Sequence, residues 1–129
     1  MVVTDASFVP VLHDRGPVPD LVELELPVGQ AYASVGRLVA AGVALRHDVS
    51  IERIEDLQTA LDTVLQSPIA EDRIHLALWN ASDGLHVEVG PFTSDIHWRG
   101  IDGVLSELVD ELVIRVSGGD VWVLLLVAS

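Results

Sequence analysis

Neither cysteine nor lysine occurs among the 129 residues of the chain, and these two absences narrow its chemistry at once. Without cysteine there are no disulfides, thiolate metal sites or thiol nucleophiles. Without lysine, all seven bases are arginine, set against twenty acids, and the formal net charge is -13. Phosphate backbones are held by clustered Lys and Arg, so neither nucleic acid nor an anionic membrane surface is an expected partner. Aromatics are scarce as well, with three Trp, two Phe and one Tyr. The core must therefore be built from Val, Leu, Ile and Ala. The most apolar stretch, VWVLLLVA at Val121 to Ala128, falls far short of the roughly 20 residues a membrane helix needs. The N-terminal segment MVVTDASFVPVLHDRG is interrupted by Asp5, Pro10 and Asp14 and has no basic start. No targeting segment is expected, and the cytoplasm is the default location. The acids keep such an aliphatic domain soluble, and they also suit a basic protein partner.

What is present reads as one domain preceded by an irregular leader. Residues 1–20 hold Pro10, Gly16, Pro17 and Pro19, which disfavour a regular element; residues 21–129 carry the periodic patterns. LVELELPV alternates, with Val22, Leu24, Leu26 and Val28 on one face and Glu23 and Glu25 on the other, as a half-buried strand does. QAYASVGRLVAAGVALR then places Tyr32, Val35, Leu38, Val39, Gly42 and Leu45 at helical spacing. Gly36 and Gly42 lower the propensity of this helix and point to close packing, with a dimer contact as the sharper alternative. Asp48 and Ser50 offer caps for a second helix, IERIEDLQTALDTVLQSP. Its apolar face is Ile51, Ile54, Leu57, Leu61, Val64 and Leu65, and Pro68 ends it by disfavouring helix at Ser67.

The second half reads as hairpin, helix, hairpin. Ile74, Leu76 and Leu78 share one face of a strand, and Leu85, Val87 and Val89 share one face of the next, around a turn at Asp83-Gly84. Pairing Leu78 with Leu85 and Leu76 with Val87 joins the two apolar rows. Ile101, Val104, Leu105, Leu108, Val109 and Leu112 form a helical stripe. VIRV and VWVLLLVA then flank the turn Ser117 to Asp120, and the last strand is apolar on both faces, so both are expected to be covered. The order β-α-α-β-β-α-β-β predicts an α/β two-layer sandwich, helices on one face of a mixed, mainly antiparallel sheet.

This order, together with the run LELPVGQAYASVGRLVAAGVALRHDVSIERIEDLQTALDTVL, resembles the anti-sigma-factor serine kinases of the histidine-kinase-like ATPase superfamily. The likeness is densest from Leu24 to Leu65, includes IEDLQTAL, and continues more loosely through LHVEV and ELVDELVIRV. It implies that family's fold, a cytoplasmic regulator of transcription that commonly dimerises, and a protein partner: a sigma factor or its antagonist.

The resemblance also implies where chemistry would reside, and this chain departs from the pattern at each place. The family's second helix carries a glutamate general base and, four residues on, an asparagine that helps hold Mg²⁺ beside ATP. Aligned on IEDL, those positions are Thr63 and Ser67. A threonine is no proton acceptor near neutral pH, and Asp62 is rotated about 100° around the helix from Thr63. The adenine-reading Asp and its glycine correspond to Pro91 and Thr93, and proline offers the adenine no hydrogen bond. PFTSDIHWR is too short for the usual glycine-rich lid. RGIDGV keeps Gly100 and Gly103 of the phosphate-cradling helix start but sets Asp102 where phosphate would arrive. The expectation is a protein-binding pseudo-enzyme with no cofactor. The competing readings are a divergent ATP-dependent serine kinase and a small-molecule sensor using the remodelled pocket.

Trp98 and Arg99 lie in the shortened lid region, as an exposed partner anchor or, for Trp98, as a plug filling the vacated nucleotide pocket. His75, Glu88 and His86 fall together on the outer side of the first hairpin. A solvated polar row is the expected reading there, ahead of a metal site. No Ser-His-Asp array has motif spacing.

Overall fold

The computed structural model describes residues 2–4, 10, 20–93 and 95–128. The elements are β1 (Val2–Thr4), β2 (Val22–Pro27), α1 (Gln30–Arg46), α2 (Ile51–Leu65), β3 (Arg73–Ala81), β4 (Gly84–Phe92), α3 (Asp95–Leu108), β5 (Glu111–Ser117) and β6 (Asp120–Val127). From β2 onward this is the expected order. Within the leader, the β-branched run Val2–Thr4 forms a strand, parallel to β5; the irregular course expected for most of its other residues lies outside the described residues. One six-stranded sheet results, in the order β1-β5-β6-β4-β3-β2, and every pairing except β1·β5 is antiparallel. The fold is α+β, with three helices against a mixed, mainly antiparallel sheet. Among the described residues no helix is long and apolar enough to cross a membrane.

The core lies between the sheet and the helices. Leu76 and Leu78 of β3, Leu85, Val87 and Val89 of β4, and Val123, Leu125 and Val127 of β6 point inward, where they meet Leu57, Leu61 and Val64 of α2 and Leu105 of α3. The outer side of the sheet is buried at its centre too, because Glu88 and Trp122 are inaccessible there. A Cβ at Gly90 would come within 2.7 Å of the Trp122 ring, so the indole lies flush on the bare backbone of the neighbouring strand. This overturns the solvated row expected for Glu88. The expected cover over both faces of β6 holds at Trp122, while Leu124 and Leu126 remain half-exposed.

Helix α1 has the expected bounds and the opposite face. Its buried side is Gly36, Ala40, Val43 and Ala44, while Tyr32, Val35, Leu38, Gly42 and Leu45 are exposed. The reason is close approach: a Cβ at Gly36 would already sit 3.3 Å from Leu26 and from Leu65. Small residues at i, i+4 and i+8 let the helix lie near its neighbours, and larger ones would hold it off. Ser50 caps α2 by accepting from the Arg53 N–H. Asp48, at φ 60°, turns the chain between the two helices. Ile51, expected in the α2 stripe, is exposed, as are Val28 beyond β2 and Val104 on α3.

Two boundaries and one register also differ from expectation. Helix α3 begins at Asp95 and ends at Leu108, so Leu112 belongs to β5. In the first hairpin Leu78 faces Val87 and Leu76 faces Val89, two residues from the expected pairing. The slip keeps every apolar residue on its own face, because the turn is centred on Ser82-Asp83, with Gly84 already paired to Ala81.

Candidate functional site

The C-terminal half of α2 carries hydroxyls at Thr59 and Thr63, and Ser67 follows just past its end, each about one turn beyond the last. Each donates to the backbone carbonyl four residues before it: Thr59 Oγ1 to Glu55 at 3.0 Å, Thr63 Oγ1 to Thr59 at 3.2 Å, and Ser67 Oγ to Thr63 at 3.1 Å. Such back-bonding is the usual fate of Ser and Thr inside a helix, and it turns the hydroxyls along the helix rather than outward. Asp62, the nearest carboxylate, is held by Arg37 of α1 at 3.3 Å and accepts from Gln66 Nε2 at 3.0 Å. The helix therefore presents a structural hydrogen-bond ladder beside a helix-to-helix ion pair.

The chain beyond α2 is stitched to β4. Thr93 N donates to the Pro68 carbonyl at 3.0 Å, Ala70 N donates to the Pro91 carbonyl at 3.1 Å, and Ile69 bridges to Phe92. Ser67, Pro91 and Thr93 are thus brought to one seam, while Thr63 lies one helical turn before Ser67 and, among the described residues, bonds only along its own helix. Pro91 and Ser67 are buried in it. Behind the seam, Trp98 and Phe92 are fully buried and meet edge to face, ring centroids 4.9 Å apart. Trp98 is accordingly no exposed partner anchor. Its apolar body packs into the interior against Phe92. The Arg99 side chain lies outside the described residues.

Gly100 and Gly103 do not join this seam. Because α3 starts at Asp95, both lie inside the helix, on exposed positions with open space where a Cβ would stand. The segment expected to connect β4 to the helix has instead become its first turns, and Asp102 sits mid-helix rather than at an N-terminus.

A second seam runs along α1, on the face that its spacing had assigned to the core. Ala31, Val35, Leu38, Gly42 and Leu45 follow a 4-3-4-3 spacing, the a/d pattern of a helix that packs on another helix. All five are exposed: Val35 is 42%, Leu38 68% and Leu45 61% accessible, with Tyr32 beside them at 45%. No acid lies on α1, whose only charges are Arg37 and Arg46. The signal was legible in principle: the heptad spacing of the large residues opposes the i, i+4, i+8 series Gly36, Ala40, Ala44.

On the outer sheet the expected trio of His75, Glu88 and His86 is dispersed by the register. His75 faces Gly90, Glu88 faces Ala77, and His86 faces Trp79; among the described residues no three potential ligands form a metal site. His86 instead stacks on Trp79, centroids 5.2 Å apart and planes 12° from parallel, and its Nε2 lies 2.7 Å from Asp83 Oδ1. That hydrogen bond from His86 holds the Asp83 carboxyl below its ordinary range.

Comparison of the chain with protein-family models and with curated protein sequences found no match.

Proposed function

We propose that this protein is a regulatory protein-binding module on a histidine-kinase-like fold, working through contacts of α1 rather than through nucleotide chemistry. The observation that carries this reading is the exposed apolar seam Val35, Leu38 and Leu45 on a chain of net charge -13. A contiguous apolar strip on an otherwise acidic domain marks a protein contact. Its first occupant is a second copy of the chain. The heptad spacing fits one helix against another, and two α1 helices related by a twofold axis bring no carboxylates of α1 together. Gly42, with nothing near its Cβ position, allows the helices to approach closely at the crossing.

The finer identity rests on resemblance. The element order, the run from Leu24 to Leu65 and the acidic surface favour an anti-sigma-factor-like regulator in the cytoplasm, its heterologous partner a sigma factor or the antagonist that releases one. The back-bonded Thr63 and Ser67 and the engagement of Asp62 by Arg37 count against the divergent serine kinase. The buried Phe92–Trp98 pair counts against a sensor that uses the nucleotide pocket.

Sedimentation of the wild type and of Leu38→Glu tests the reading. The wild type is expected to dimerise at micromolar concentration, and Leu38→Glu to be monomeric. The variant should unfold within about 0.5 kcal/mol of the wild type when both are monomeric, as an exposed substitution should. A monomeric wild type whose sigma-factor and antagonist binding is untouched by Leu38→Glu would refute the role given to α1.

A further inference from the structure

The sheet ends on one side at β2, which pairs with β3 along its whole length, from Val22 opposite Leu78 to Pro27 opposite Arg73. Among the described residues no strand lies along its other side, so every second residue of β2 turns its backbone polar groups away from the sheet. The register is regular and no residue of β2 has a positive φ; the edge is an unbroken template about 20 Å long. Its two faces differ. On the helix side Val22 and Leu24 are only half-buried, as is Val39 of the covering α1, so the apolar layer continues to the rim of the sheet. On the outer side Glu23 and Glu25 are exposed. Arg73 of β3 reaches Glu25 at 3.4 Å, whereas Glu23 faces Ala77 and makes no ion pair among the described residues.

We propose that the free edge of β2 docks an extended protein segment in which basic and apolar residues alternate, added antiparallel as a seventh strand. Main-chain hydrogen bonds supply the attachment and alternate side chains the selection. Side chains directly opposite one another share a face of the sheet. The segment's apolar residues therefore meet Val22 and Leu24, and its basic residues meet Glu23 and Glu25, as Arg73 already meets Glu25 from the β3 side. A second copy of β2 suits this edge poorly. Full twofold overlap that keeps the faces sets Glu23 and Glu25 of one copy opposite the same carboxylates of the other, and like charges directly opposite are destabilising. The net charge of -13 draws basic segments toward the domain. The edge shares no residue with the α1 seam and stands independently of the function proposed above.

Amide NMR of the full chain, titrated with end-blocked hexapeptides, tests this. The probes are an alternating Lys-Val peptide, an alternating Glu-Val peptide, and two Lys-Val peptides N-methylated at every lysine or at every valine. The Lys-Val peptide is expected to give saturable shifts confined to β2 and the adjoining residues of β3, and to slow hydrogen exchange within β2. The Glu-Val peptide should not bind. Of the two N-methylated peptides one should bind and the other not, because only one edge of an added strand faces β2. Glu23→Gln should weaken the Lys-Val peptide by up to about fivefold, the range of a cross-strand charge pair. Glu23→Arg with Glu25→Arg should transfer the preference to the Glu-Val peptide. Both positions are exposed, so the unfolding midpoints of these variants should stay close to that of the wild type. Leu38→Glu should bind as the wild type does, which separates edge docking from self-association. Equal behaviour of the two N-methylated peptides, shifts centred elsewhere, no saturation at millimolar peptide, or an unchanged preference in the double variant would each overturn the proposal.

Discussion

Around the end of α2 three hydroxyls in succession are bonded to their own helix and an indole is packed out of sight behind them. Along α1, one helix away, leucines and valines stand in solvent with open space beside Gly42. The first region is where the family resemblance implies catalysis, and its polar groups are satisfied internally. The second is where ordinary amphipathic reasoning expects a core, and its apolar groups are unsatisfied. A polar group that has its partner within the fold has little left for a ligand, whereas exposed apolar surface gains free energy from any complementary cover. The proposal of binding through α1, in place of reaction at α2, rests on this contrast.

The largest test of that contrast is Trp98→Ala. Removing a fully buried indole should cost about 3–5 kcal/mol in urea unfolding. A loss below 1 kcal/mol would mean that the ring is not part of a packed interior, and the closed region would have to be reconsidered. Next comes the double variant Thr63→Glu with Ser67→Asn, which rebuilds the reactive pair of the family. Ser67 is only 5% accessible, so the larger amide should destabilise the fold by about 1–3 kcal/mol through overpacking. Mg-ATP should still give no saturable thermal shift, although ligand at 100 times its Kd adds about 2.7 kcal/mol. Magnesium-dependent ATP turnover by this variant would reopen the region to catalysis. The smallest effect lies within α1 itself. Gly42→Ala should stabilise the monomer by about 1 kcal/mol through helix propensity alone. Gly36→Ala, whose new methyl would press on Leu26 and Leu65 at 3.3 Å, should forfeit that gain. Equal responses at the two glycines would reverse the faces assigned to α1.

Much of this architecture was legible because it rests on periodicity. The bounds of α1, the start of α2 at Ile51 beside its Ser50 cap, and the alternation in β2 and the first hairpin all follow from spacing. What was not legible depends on distance between elements. The buried face of α1 is chosen by how near Gly36 lets it approach, and size-weighted counting assigned the core to the larger side chains instead. The early start of α3 was hidden by Gly100 and Gly103, which read as loop, although Trp98, Ile101, Leu105 and Leu108 already continue one apolar stripe. The hairpin slipped by two because a shift of two preserves both faces, leaving only the turn to decide. At the α2 seam the substitutions themselves were visible. That Ser67 is buried, and that Trp98 lies behind Phe92, needed the third dimension.

The position of β6 carries a consequence for how the chain acquires its shape during synthesis. The latest strand in the sequence lies between β4 and β5, near the middle of the sheet. Until Val127 has left the ribosome, β2, β3 and β4 can form only one flank, and β5 with β1 only the other. The two flanks share no edge, and Val2 must wait for Ile114, its register partner from the far end of the chain. Contacts so distant in sequence slow folding, and an unfinished sheet exposes the edges of β4 and β5 to pairing with other chains. The nascent protein is thus most prone to aggregate while β6 has yet to join the sheet, and an mRNA that slows translation through the segment preceding β6 should lower the yield of folded protein.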